Sequence, residues 1–235
     1  MTKNYEDLMT KFIELRGLSN STKKAYLSSM RKFVNYYDIS PDKITLEQIR
    51  DYQHYLIKKK KLSGRTVNRE MTAIKLYYIQ ILERYSYNEK IPRVKTKKSL
   101  PVILSQEEVF SMIDSLENIF WKAVIMVTYS AGLRQGEVRR LKVTDIDSKR
   151  MVIHVRNSKG GRSREALLSP AVLEQLRNYW RICRKNSVKS DYLFIPTKNS
   201  YDGELKKSLS HTALGYIVKK SAEIAGIKKK YILIV

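Results

Sequence analysis

Between Tyr5 and Leu82 the sequence repeats one pattern four times: apolar residues three and four apart, interrupted by short polar breaks. That spacing is the period of an amphipathic α-helix, and it leaves little room for anything else. Tyr5, Leu8, Met9, Phe12 and Leu15 form the first stripe, which Gly17 ends. Tyr26, Met30, Phe33 and Tyr37 form the second, after the capping choices of "SNST". Thr45 is placed to cap a third helix with Ile49, Tyr52, Leu56 and Ile57 on its inner side. Gly64 precedes a fourth, carrying Val67, Met71, Ile74, Tyr78, Ile81 and Leu82. Four such helices in one short stretch predict a small bundle.

From Asn88 to Leu100 the periodicity stops. "NEKIPRVKTKKSL" has a proline and a run of Lys and Arg, which reads as a basic linker. A second unit then opens at Ser105, whose pairing with Glu108 is a capping box. "IFWKAVIMVTYSAG" is apolar nearly all round and predicts a buried helix. After its glycine comes "LRQGEVRRL", a short helix with Arg134 at its start and Glu137 one turn on. Met151, Ile153 and Val155 then alternate, "NSKGGRSRE" turns the chain, and a second strand runs through Glu165–Leu168, which predicts a β-hairpin. "SPAVLEQLRNYWRICRK" and "SLSHTALGYIVKKSAEIAGI" predict two further helices, the first opened by Pro170 and the second stopped by Gly226.

Charge narrows the partner. The 235 residues hold 46 Lys and Arg against 23 Asp and Glu, a formal +23. A chain this basic repels itself unless a polyanion is its usual partner, and nucleic acid comes before an anionic membrane surface. Residues 1–100 hold about 22 basic and 10 acidic residues, so the excess is spread over both units and not confined to a tail. No stretch approaches the roughly 20 apolar residues of a membrane span. The single cysteine, Cys183, excludes an internal disulfide framework and fits a reducing cytosol, so the expected location is the cytoplasm. Cys183 itself reads as a small apolar side chain on a helix. His54, His154 and His211 are scattered and read as an exposed polar residue, an outward strand residue and a helix-start residue. Cys/His metal spacing and a phosphate-binding glycine loop are both missing. No metal or cofactor is expected.

Two stretches can carry phosphate chemistry. Arg134 lies between a buried helix and a helix N-terminus, where its guanidinium can be held still as a bidentate phosphate clamp braced by Glu137. It can equally be a surface arginine on an exposed helix. The hairpin tip sets Lys159, Arg162 and Arg164 around two glycines, either as a solvated turn or as a finger that brings Lys159 to a leaving oxygen.

These stretches resemble the tyrosine recombinases of the phage-integrase family. "AGLRQGEVRRLKVTDID" is similar to the family's first catalytic-arginine motif, "VRNSKGGRSREALLSP" to its lysine-bearing hairpin, and "LSQEEV" to the start of its catalytic domain. "STKKAYLSSMRKFVNYY" and "LSGRTVNREMTAIKLYY" resemble its N-terminal core-binding domain. The resemblance implies a mainly α fold: a four-helix SAM-like core-binding domain over 1–87, a basic linker over 88–104, and an α-rich catalytic domain with a small β-hairpin over 105–235. It implies Arg134 and Lys159 as catalytic, Glu137 as accessory, and double-stranded DNA contacts at Lys23, Lys24, Arg65, Arg69, Lys95, Lys97, Lys98, Arg162 and Arg164. In such enzymes a tyrosine hydroxyl attacks a phosphodiester, leaving a 3′-phosphotyrosine and a free 5′-hydroxyl; self-association on DNA accompanies it. The scaffold serves phage integration, transposition and other movements of mobile genetic elements.

The resemblance also implies a His-x-x-Arg segment, a later His or Trp, and the nucleophilic tyrosine. After "AEIAGI" the sequence reads "KKKYILIV" instead, and Tyr231 does not match the nucleophile. The expectation is therefore a C-terminally incomplete catalytic domain that binds DNA without cleaving it, or a non-catalytic protein that occupies recombination sites. The helix over Ala213–Ile227 is then expected to lie partly uncovered. On that expectation, thermal unfolding followed by circular dichroism lacks a sharp cooperative transition above about 60 °C; such a transition counts against it.

Overall fold

The computed structural model describes residues 5–96, 102–156, 162–184, 192–195 and 208–229. The chain divides into two compact units, Met1–Ser99 and Leu100–Val235.

The first unit is helical throughout: α1 Tyr5–Leu15, α2 Asn20–Tyr37, α3 Leu46–Lys58 and α4 Gly64–Lys75, with a short α5 at Tyr87–Lys90. Each start is set by local chemistry. The hydroxyls of Ser19, Thr45 and Ser63 accept from the amides of Thr22, Gln48 and Thr66, and the Gln48 side chain returns the bond to Thr45. The four stripes meet in one core around Met9, Met30, Phe33, Ile49, Met71 and Ile74. Phe33 touches Tyr37, Tyr52 and Tyr78 edge-on, the arrangement that ring quadrupoles favour.

Two details depart from the sequence reading. In α1, Leu15 is 79% exposed and Ile13 is fully buried. Leu15 lies two steps of about 100° beyond Ile13, which carries it to the far side of the stripe. At the end of α4 the expected continuous helix widens into a π-helical turn over Leu76–Ile81. Tyr77, Tyr78 and Ile79 are buried in succession there. The Tyr78 hydroxyl donates to the Pro41 carbonyl, and burial raises its phenol pKa.

Residues 88–96, read as linker, lie on this bundle. Lys75, Arg50 and Gln53 donate to the carbonyls of Asn88, Lys90 and Pro92 at 2.9, 2.7 and 2.7 Å. The Asn68 amide bonds both the carbonyl and the N–H of Val94, at 2.8 and 2.9 Å. Ile91 is 1% exposed. Gly64 permits the approach, since a Cβ there would lie 3.0 Å from the Lys95 carbonyl oxygen.

The second unit contains α6 Gln106–Asp114, α7 Ile119–Ser130, α8 Gln135–Arg140, α9 Pro170–Cys183 and α10 His211–Ile224. The Ser105–Glu108 capping box forms at α6, and Asn118, Ser169 and Ser210 cap α7, α9 and α10. The capping group at α10 is thus Ser210, one residue before His211. Three strands, β1 Ile146–Asp147, β2 Val152–Val155 and β3 Arg164–Leu167, pair antiparallel in the order β1-β2-β3. The sequence reading anticipated two of them; β1 is too short to show alternation. Ile153, Val155 and Ala166 face the core, and the His154 ring lies 3.4 Å from Glu165. The short run at Leu193 continues the packing, with its N–H on the Leu141 carbonyl and its own carbonyl taking the Tyr179 hydroxyl. Burial pushes the Tyr179 phenol up to about 12. The inner stripe of α10, Leu214, Ile217, Val218 and Ala222, is buried, while Tyr216 and Ile224 are exposed. No described helix is long and apolar enough to cross a membrane.

Asn68 holds the 88–96 segment with two hydrogen bonds, each worth about 1 kcal/mol. Asn68→Ala should therefore speed tryptic cleavage after Arg93 and Lys95 about tenfold under native conditions, as read by mass spectrometry. Unchanged cleavage at those two sites would show that the segment is held by other contacts.

Candidate active site

The site begins at the end of α7. Gly132 takes φ +58°, its N–H bonds the Tyr129 carbonyl, and the Leu133 N–H bonds the Thr128 carbonyl. This left-handed turn closes the helix and suits a residue without Cβ. Leu133 is then fully buried, which pins the chain immediately before Arg134. Arg134 is extended, at φ −66° and ψ 151°, and stands at the N-cap of α8.

Glu137, one turn on, gathers the charged groups of this corner. Its side chain is 2% exposed. One oxygen, Oε2, accepts from the Arg134 backbone N–H at 2.9 Å and from Arg164 Nη2 at 2.9 Å. The other, Oε1, accepts from Arg134 Nη1 at 3.1 Å. Arg164 Nη2 also donates to the Gly132 carbonyl at 2.9 Å, so β3 is tied to the α7–α8 corner. A buried carboxylate needs such partners, because an unpaired one is costly in a low dielectric. Among the described contacts the Arg134 guanidinium is anchored to Glu137 through Nη1, and its side chain is 49% exposed. A guanidinium held in place and still in part exposed is suited to contact with a phosphate.

A second acid repeats the device. Asp145, its side chain 4% exposed, accepts from the Lys142 N–H at 2.9 Å and pairs with Arg156 Nε at 2.6 Å. Glu137, Arg140, Lys142, Asp145, Arg156 and Tyr192 line one cavity of about 160 Å³. The sequence reading passed over Asp145 and Arg156. For Asp145 the signal was the spacing: a basic residue with an acid three residues on occurs at Arg134/Glu137 and again at Lys142/Asp145; Arg156 carried no such signal. From the other side of α8, Arg139 and Gln135 donate to the carbonyls of Leu209 and His211, which fixes the start of α10.

The remaining sequence-derived candidates divide. Lys159, Lys97 and Lys98 lie outside the described residues. Arg162 is exposed just before β3. Arg164 is engaged with Glu137 and Gly132 and is only partly exposed. In the first unit, Arg65 and Arg69 lie on the opening turns of α4, and Lys95 reaches the same end through the contact at Gly64; all three are exposed. Lys23 sits apart from them at the α1–α2 corner, paired with Glu14 at 2.8 Å, with Lys24 exposed beside it. His54 is exposed on α3. Cys183 is partly buried and burial raises its thiol pKa, the opposite of an activated thiolate.

Residues 90–232 match the phage integrase family, and residues 6–87 match the phage integrase N-terminal SAM-like domain. The chain is 37% identical over 177 residues to an integrase/recombinase of Sinorhizobium fredii, covering 75% of this chain and 58% of that protein. It is 30% identical over 219 residues to the tyrosine recombinase XerA of Pyrococcus horikoshii, covering 92% of this chain and 71% of that one. In fold it is similar to a lambda integrase(75-356) dimer bound to a COC′ core site, with a TM-score of 0.70 at 16% identity over 96% of this chain and 81% of that chain. The two family matches together cover nearly the whole chain, and the chain belongs to the phage integrase family of tyrosine recombinases.

Proposed function

We propose that this chain acts in site-specific recombination by binding double-stranded DNA and setting the Arg134 guanidinium against one backbone phosphate. The observation that carries the reading is the pair of hydrogen bonds from Arg134 to the buried Glu137 carboxylate. A cation fixed before the ligand arrives meets the charge of a phosphoryl transition state without reorganising. Arg164 has a positioning role, because it holds the same carboxylate from β3. Lys159 is assigned by family likeness as the proton donor to the leaving oxygen. Lys23, Lys24, Arg65, Arg69, Lys95, Lys97, Lys98 and Arg162 supply contacts to the DNA backbone, which position the duplex and do not read its sequence.

The solved lambda integrase relative is a dimer on its core site, and self-association on DNA is part of the same proposal. The chain spans 58% of the length of its Sinorhizobium fredii relative. Within these 235 residues no tyrosine is assigned as nucleophile, so the reading for this stretch is phosphate engagement without a covalent adduct. A nicked suicide substrate separates the two outcomes: a covalent protein–DNA adduct would establish cleavage by these residues and overturn the non-cleaving reading.

Arg134→Ala should abolish ethylation interference at one phosphate while lowering overall affinity less than about fivefold, since one contact is lost among many. Uniform weakening at every contacted phosphate would contradict the assignment. Glu137→Ala should produce the same local loss, and should also lower unfolding stability in urea by about 3 kcal/mol, because two guanidiniums lose a buried partner. Binding of the unaltered chain should weaken linearly in log Kd against log salt, and a flat dependence would exclude backbone contact.

A further inference from the structure

The first unit holds a cavity to which the recombination reading gives no role. It has a volume of about 500 Å³ and is walled by Lys32, Tyr36, Tyr52, Tyr55, Lys60 and Glu70. The three tyrosines come from α2 and α3 and form one aromatic surface. The Tyr36 and Tyr55 ring centroids are 4.5 Å apart, and Tyr36 and Tyr52 are 5.2 Å apart. Tyr36 is 44% exposed, although a tyrosine ring gains by burial.

Glu70, from α4, is the unusual member. Its side chain is 5% exposed. Lys32 and Arg69 approach Oε1 at 3.3 and 3.5 Å, while the buried Oε2 has no hydrogen-bond partner among the described residues. Oε2 is closed to solvent as well as unpaired, which is costly, and it leaves Glu70 as a fixed negative charge in the cavity wall. Burial, and after it the Glu70 charge, pushes the Tyr52 phenol up to about 12, so the ring keeps its proton at neutral pH. Lys60 lies with its ammonium 5.8 Å from the Tyr55 ring centroid.

The charges select among ligands. An aromatic wall with one carboxylate would suit a cation, but Lys32, Lys60 and Arg69 outnumber Glu70 here and repel one. An apolar side chain would leave the cavity's two lysines without an anion. A nucleotide meets all three features. Its base offers a π-face to the tyrosines and an N–H to Glu70, and its phosphate offers an anion to the two lysines. We propose that this cavity binds an unpaired nucleotide, its base stacked on Tyr36 and Tyr55 with an amino or imino N–H directed at Glu70, and its phosphate held by Lys32 and Lys60. The inference rests on the first unit alone and is independent of the role given to Arg134. The nucleotide can be free in solution or an unpaired residue of a DNA strand, and the chemistry of recognition is the same.

The test uses the fluorescence of 2-aminopurine, which is quenched when the base stacks on an aromatic ring. The full chain is titrated with 2-aminopurine deoxynucleoside 5′-monophosphate, and separately with a single strand and a fully paired duplex carrying one 2-aminopurine. Saturable quenching of the monophosphate identifies a free nucleotide as sufficient, and quenching of the single strand alone identifies an unpaired base within DNA. Either supports the site, provided that Tyr36→Leu and Glu70→Gln each weaken it about tenfold. Tyr36→Leu alters an exposed ring and carries the test if Glu70→Gln is misfolded by circular dichroism. Deoxyribose 5-phosphate at the same concentration should not compete. Absence of quenching with both the monophosphate and the single strand, quenching unchanged in Tyr36→Leu, or equal competition by arginine amide would overturn the proposal, the last by showing a cation site instead.

Discussion

One buried carboxylate holds the second unit's functional corner together. Glu137 is the only place where the turn after α7, the first turn of α8 and the strand β3 share a charge among the described contacts. Its burial makes the arrangement obligatory, because a carboxylate that has lost its water must be satisfied by fixed donors. The two guanidiniums that satisfy it are thereby fixed themselves. Arg134 owes its position to this constraint, and the α7 exit with Gly132 and Leu133 serves to deliver the backbone to it.

The first unit rests on a different interaction, apolar packing cemented by polar groups that lack water. Phe33 and the tyrosines around it form the centre, and the hydroxyls of Tyr37 and Tyr78 reach backbone carbonyls at the edge. The polar face of α3 and α4 is used in turn to hold residues 88–96. A run of Lys and Arg with a proline reads as a free connector, but Gln53 and Asn68 satisfy its backbone and keep it on the bundle. Lys95 is therefore presented at a defined place beside α4, next to Arg65 and Arg69.

Much of the fold was legible because local chemistry and burial agree. Thr45 and Ser105 cap where their sequence positions indicated, and the stripes of α2, α3 and α4 face the core. The failures have physical causes. Leu15 extended a stripe by spacing of three while the helix had already turned it to solvent. The π-helical turn at Leu76–Ile81 shifts the register of the chain within a helix whose apolar spacing does not announce it. β1 is two residues long and exists only because β2 lies beside it.

The site divides in the same way. Sequence alone determined that an arginine comes after a glycine break behind a buried helix, that an acid stands one turn on, and that a basic hairpin comes later. These are local facts, set by residue type and spacing. Tertiary structure alone decided that Arg164, which reads as one more cation for DNA, turns inward to Glu137. It alone decided that Asp145 takes Arg156, and that Glu70 is buried in the wall of the tyrosine-lined cavity with one oxygen unpartnered among the described residues. Each of those outcomes depends on which distant groups share a volume from which water is excluded, and that is a property of the packed chain and of no segment of it.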